Sequence, residues 1–185
     1  TSSVSVYPDR GGEWCSETDA RGESERSRVM LESEKLFLEG ARSAQASVLR
    51  LGGIYGPGRS FLVDRIRQRE GSMTGFGDYY LNLIRLEDVV SALESVFSGE
   101  GVEESVFNVV DDEPLFKADL VESLAHRLEV SRPVFDGASN GEGTSRRWEN
   151  GRPSNRRISN RLLRTRFGWR PRFSNAIDGM GNLLS

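Results

Sequence analysis

Residues 47–59 read Ser47-Val48-Leu49-Arg50-Leu51-Gly52-Gly53-Ile54-Tyr55-Gly56-Pro57-Gly58-Arg59, and how this stretch is read decides the fold. Val48, Leu49 and Leu51 form a short apolar run that breaks at once into glycines. Such a run, bounded by turn residues, is predicted to be a buried strand of a parallel sheet. Glycines directly after its carboxyl end let the backbone turn sharply and approach a ligand with no Cβ in the way. Ligands of open α/β sheets sit outside the carboxyl ends of the strands, so Gly52, Gly53, Gly56 and Gly58 mark the first place to expect a site.

The rest of the composition bounds the possibilities. The chain has 185 residues, enough for one domain with a real core. Its net charge of −3, with 29% charged residues, gives no global basic signal. The single cysteine, Cys15, excludes an internal disulfide and a cysteine-based metal cluster, and it fits a reducing compartment such as cytoplasm or organelle stroma. No run approaches the roughly 18 apolar residues of a membrane span, so no membrane partner is expected. The chain opens at Thr1 and runs straight into Ser2-Ser3-Val4-Ser5-Val6-Tyr7, predicted as a strand from its β-branched alternation. Nothing ahead of it supplies the first strands of a doubly wound sheet. A partial chain is therefore expected, with any targeting peptide upstream of Thr1.

Further along, Asp9 to Gly22 reads as a surface loop in which Trp14 either covers a pocket or, more simply, packs onto the domain. Ser24 to Arg42 is predicted to be a helix with Val29, Leu31, Leu36 and Phe37 inward and Glu32, Glu34 and Lys35 in water. A short amphipathic helix follows over Phe61 to Arg69, stopped by Gly71. Leu86, Val89, Val90, Leu93, Val96 and Phe97 recur at helical spacing, with Glu87 and Asp88 in the first turn where the helix dipole favours them. Another helix, with Leu120, Leu124 and Leu128 on one face, follows Pro114. Asp111, Asp112 and Glu113 could bind a cation, but capping of that helix explains them more simply. His126 is the only histidine and has no second one to share a metal, so no metal is expected. Gly137 to Ser154, rich in glycine, serine and asparagine, reads as a flap, and Ile177, Met180 and Leu184 close the chain in a tail helix.

Five segments carry a family resemblance. Leu49 to Pro57 resembles the Leu-Arg-x-x-x-x-Tyr-Gly-Pro segment of the extended short-chain dehydrogenases, the NAD-dependent epimerase/dehydratase family. In the family's order, Ser2 to Tyr7 resembles its Ser-Ser-x-x-Val-Tyr-Gly strand end, with Pro8 in place of glycine. Leu81 to Val90 resembles Asn-x-Ile-His-Val-Asp-Asp-Val-Ala, and Val106 to Pro114 resembles Phe-Asn-Val-x-Asp-x-x-Pro. Arg156 to Leu163 with Phe167 to Pro171 resembles the closing Lys-x-Ile-Ser-Asn-x-x-Leu and Leu-Gly-Trp-x-Pro.

The resemblance implies an α/β fold, the carboxyl-terminal half of a doubly wound Rossmann-type parallel sheet with a small substrate-binding lobe. It spans residues 1–185, with 60–80 and 132–172 as lobe segments. It implies NAD or NADP as cofactor and a nucleotide-sugar-like or small carbonyl or hydroxyl compound as substrate. Gly52, Gly53 and Ile54 would line the nicotinamide, and Ser3 would be the catalytic serine that bonds the substrate oxygen. Asn82 and Arg85 would bind substrate. The simpler reading of Ser3 is a serine cluster edging a strand.

One departure is informative. Aligning Leu31-Glu32-Ser33-Glu34 with the family's Leu-x-Ala-Glu puts Arg26 and Met30 where the Tyr-x-x-x-Lys pair belongs. Arginine stays protonated and methionine carries no charge, so neither does that chemistry. This resembles the atypical branch of the family. The Gly-x-Gly-x-x-Gly fingerprint that seats a pyrophosphate is also missing from these residues.

Ten arginines fall between Arg146 and Arg172 against one acidic residue, Glu149. Such a stripe can hold a phosphate-bearing ligand. It also leaves open a non-catalytic nucleotide- or RNA-binding protein, for which Trp148 and Trp169 are the nearby aromatics. A merely solvated basic face, or an inactive truncated product, are the remaining readings.

Overall fold

The computed structural model describes residues 1–41, 46–68, 71–99, 106–138, 151–181 and 183–184. Most of the flap segment, with Arg146, Arg147, Trp148 and Glu149, lies outside the described residues. The strands are β1 (Ser2–Ser3), β2 (Trp14–Cys15), β3 (Val48–Leu51), β4 (Gly53–Tyr55), β5 (Ser72–Met73), β6 (Tyr80–Leu81), β7 (Leu83–Arg85), β8 (Val106–Val109), β9 (Leu115–Phe116), β10 (Val134–Phe135) and β11 (Arg157–Ile158). The helices are α1 (Glu25–Gly40), α2 (Phe61–Gln68), α3 (Leu86–Ser98), α4 (Lys117–Arg127), α5 (Arg161–Phe167) and α6 (Ala176–Gly181).

The decisive stretch folds as its pattern demands. β3 is the middle strand of a three-stranded sheet in the order β1, β3, β8, with both neighbours parallel to it. Gly52 interrupts the chain, and β4 then pairs in parallel with β7. Parallel pairs β2 with β11 and β5 with β10, and the antiparallel pair β6 with β9, sit outside the main sheet. The β5–β10 pair joins two of the segments expected in a substrate lobe. The result is a mixed α/β fold of Rossmann type.

Local signals explain the helix ends. Ser24 and Ser27 cap α1 reciprocally: the Ser24 hydroxyl accepts from the Ser27 N–H at 3.1 Å, and the Ser27 hydroxyl accepts from the Ser24 N–H at 3.0 Å. α5 stops at Gly168, whose φ of +66° is left-handed and suits glycine. Leu120 and Leu124 of α4 are fully buried with Val63, Ile66, Met73, Tyr55 and Met180 in one core. A second core gathers Leu49, Ile84, Val89, Phe107, Leu163 and Trp169 around the sheet.

Several expectations are corrected. Only Ser2 and Ser3 are strand; Val4–Val6 is a 3-10 turn that the Ser3 hydroxyl caps by accepting from the Ser5 N–H. The predicted inner stripe of α1 is largely outside, with Val29, Leu36 and Phe37 more than half exposed. Glu34, expected in water, is buried instead because Arg50 reaches it from β3. On α3, Val89 and Ala92 face inward while Val90 and Phe97 are exposed. The acidic run does not cap α4, whose preceding residue is Phe116. Each member has its own distant partner: Asp111 accepts from the Tyr55 hydroxyl, Asp112 pairs with Arg164, and Glu113 accepts from the Asn175 amide.

Candidate functional site

The carboxyl ends of β1, β3 and β8 bring Ser3, Gly52, Gly53 and Asn82 near one another, while Arg85 sits farther along, opposite Tyr55. Ser3 lies opposite Leu51 in the β1–β3 register, so it stands beside the turn at Gly52. The Gly52 N–H donates to the Val109 carbonyl of β8 at 3.0 Å, and the Gly53 N–H donates to the Asn82 carbonyl at 2.8 Å. A Cβ on Gly52 would come within 2.7 Å of that same carbonyl oxygen and 3.0 Å of Val110. Close approach of two backbones therefore requires glycine at this point. Gly53 is exposed, while Ile54 is partly covered.

Asn82 lies between β6 and β7 beside the turn, Arg85 ends β7 opposite Tyr55, and the polar groups of both are engaged. The Asn82 amide donates to the Arg156 carbonyl at 3.0 Å and accepts from the Ile158 N–H at 2.7 Å, fastening β11 to the site. The Arg85 guanidinium pairs with Glu87 at 3.0 Å and donates to the Gly179 carbonyl, tying α6 down. These bonds hold the Glu87 carboxyl below the usual carboxylate range, the Arg85 hydrogen bond being the main cause.

The helix turn that would carry a tyrosine–lysine pair carries Arg26, which is exposed, and Met30, which packs beside the Ser3–Val6 turn. The Ser5 hydroxyl donates to the Met30 sulfur at 3.6 Å.

Two buried polar networks escape sequence reasoning. In the first, Arg50 donates to both oxygens of Glu34, to the Tyr7 hydroxyl at 2.9 Å and to the Glu17 carbonyl at 2.9 Å. Tyr7 donates onward to Asn108 at 2.6 Å. Burial pushes the Tyr7 phenol up to about 12, so it stays a hydrogen-bond donor at neutral pH. In the second, the Tyr55 hydroxyl donates to Asp111 at 3.1 Å. Asp88 accepts from the Arg172 N–H at 2.9 Å. Burial pushes the Asp111 carboxyl up to about 8 and raises Asp88 as well. A glycine marks this place too, since a Cβ on Gly179 would collide with the Tyr55 ring. Among the described residues, no group of three or more His, Cys, Asp or Glu side chains could hold a metal ion.

Comparison with known proteins follows this geometry. A conserved protein of unknown function from Silicibacter pomeroyi superposes with a TM-score of 0.80 and 24% identity, covering 98% of this chain and 64% of that one. An NAD-dependent epimerase/dehydratase described as putative, from Methylobacillus flagellatus, superposes at 0.72 with 24% identity, covering 99% of this chain and 61% of that one. The dTDP-glucose 4,6-dehydratase of Bacillus anthracis, solved with NAD, superposes at 0.75 with 19% identity, covering 99% and 58%.

The fold is that of the NAD-dependent epimerase/dehydratases.

In that epimerase/dehydratase fold the chain spans about three fifths of each superposed structure. By sequence, it is 36% identical over 93 residues to Protein YeeZ of Escherichia coli, covering 50% of this chain and 32% of that protein. No protein-family model matches the chain. Among the described residues, no helix is long and apolar enough to cross a membrane.

Proposed function

We propose that this chain supplies the nicotinamide- and substrate-facing side of an NAD(P)-dependent epimerase/dehydratase-like site of the atypical type. The observation that carries this reading is the meeting of Ser3 with the Gly52 turn at the carboxyl ends of parallel strands, where this class of sheet binds its ligands. Superposed proteins solved with NAD or NADPH, several with a nucleotide sugar as well, support the same ligand class. The exposed backbone at Gly53 fits the flat nicotinamide end of the cofactor. The Gly-x-Gly-x-x-Gly fingerprint that seats a pyrophosphate at a helix start is not among these residues.

In this reading a bound nicotinamide supplies hydride transfer. Gly52, Gly53 and Ile54 give it a surface, and the Ser3 hydroxyl holds the substrate oxygen. Asn82 and Arg85 act as positioning residues, because their polar groups fasten β11 and α6 around the turn. The proton donor is not at position 26, where arginine stays charged.

Titration of the protein with NADH and NADPH, followed by nicotinamide fluorescence, tests the reading. Saturable binding that Ser3→Ala leaves intact, with substrate affinity reduced about tenfold for the lost hydrogen bond, is expected. No binding of either cofactor overturns it.

A further inference from the structure

A groove of about 390 Å³ opens where α5 and the residues following β11 meet Trp14 of β2. That volume lies within the roughly 300–1,000 Å³ of small-molecule sites. Trp14, Asp112, Asn160, Arg161, Arg164 and Arg170 line it. None of these residues belongs to the set proposed above for cofactor or substrate.

Its chemistry is lopsided. Three guanidinium groups face one carboxylate, and that carboxylate is already spoken for: Asp112 pairs with Arg164 at 2.9 Å and accepts from the Asn160 amide at 2.8 Å. Arg161 and Arg170 form no ion pair among the described residues, and both are exposed. Arg170 is steadied by donating to its neighbour's carbonyl at 3.3 Å. Guanidinium forks match phosphate oxygens two at a time, so this pair presents unspent phosphate-binding capacity.

The groove also has a flat apolar wall. Trp14 is 47% exposed, unusual for so large an apolar ring. The Arg157 guanidinium, which does not line the groove, lies over its ring at 5.0 Å and donates to the Gly12 carbonyl at 2.7 Å. The indole is thus held in place by a cation on one face. The plain reading of Trp14 as a loop residue packed onto the domain does not account for that exposure.

We propose that this groove binds a mononucleotide-like ligand, its phosphate on Arg161 and Arg170 and its planar base on Trp14. A single aromatic wall inside a small groove suits one base, whereas a single-stranded nucleic acid needs successive stacking platforms. Arg164, neutralised by Asp112, shapes the floor and leaves the two unpaired arginines to set the affinity.

The test is titration of the protein with AMP, inorganic phosphate and a short single-stranded RNA, read by tryptophan fluorescence and calorimetry. AMP should bind saturably, more tightly than phosphate, and without competition from NADH. Arg161→Ala and Arg170→Ala, both at exposed positions, should each weaken AMP about tenfold. Trp14→Leu should abolish the fluorescence response and bring AMP affinity down to that of phosphate. AMP binding that competes with NADH, or that survives both arginine replacements, overturns the proposal, as does its absence. RNA bound more tightly than AMP overturns it in favour of a nucleic-acid surface. Because NADH binding is scored separately, this groove can fail while the cofactor reading stands, and the reverse.

Discussion

Arg50 of β3 grips Glu34 of α1 through a 2.7 Å ion pair in which both side chains are only 6% exposed. The pair fastens the helix to the strand that leads into the glycine turn. It also orients Tyr7, whose hydroxyl accepts from the same guanidinium. A buried ion pair is a weak contributor to net stability, yet losing one partner leaves the other charge buried and unpaired.

Glu34→Ala should therefore cost about 3–5 kcal/mol in urea unfolding. The double replacement Glu34→Leu with Arg50→Met should cost clearly less, since no charge is stranded. Equal losses in the two proteins would show that the ion pair does not set the cost.

Asp111 makes stability depend on pH. An unfolded aspartate gives up its proton near pH 4, roughly, whereas burial holds the folded Asp111 carboxyl protonated up to about 8. Between those values the unfolded chain binds fewer protons, so stability is full below the window and falls as pH rises through it. Asp111→Asn keeps an acceptor for the Tyr55 hydroxyl and should flatten this fall in thermal-melt series from pH 4 to 9. An unchanged slope in the variant would assign the pH dependence elsewhere.

Gly52→Ala should destabilise the fold by about 1–3 kcal/mol, because the added methyl meets the Asn82 backbone and not a yielding side-chain end. Gly58→Ala meets no atom within 4 Å, yet its φ of +70° strains any side chain there, so it should cost about 1 kcal/mol. Chemical denaturation of the two proteins reads the difference, and a harmless Gly52→Ala would contradict the close backbone approach.

The part of the fold legible in sequence was the part governed by local pattern. Val48 to Leu51 breaking into glycines announced a buried strand and its turn, and leucine spacing announced α4. What pattern could not reveal were pairings between distant residues. Glu34 looks like a solvated helix charge until Arg50, sixteen positions on, is known to point at it. The acidic run looked like a cap because its partners, Tyr55, Arg164 and Asn175, lie 56, 52 and 62 positions away. The α1 stripe misled for a related reason: helical periodicity shows that a face is apolar, not what covers it. For the proposed site, motif order nominates the glycine turn and Ser3, and the β1–β3 register sets Ser3 opposite Leu51 beside that turn. The engagement of Asn82 and Arg85 with β11 and α6 could not be found from motif order.

The most direct measurement is a crystal structure of the protein grown with saturating NADH. The nicotinamide ring should lie within contact distance, about 4 Å, of Gly52, Gly53 and Ile54, with the Ser3 hydroxyl facing the reactive side. A nicotinamide seated away from that turn, or no cofactor bound at saturation, would contradict the proposed site.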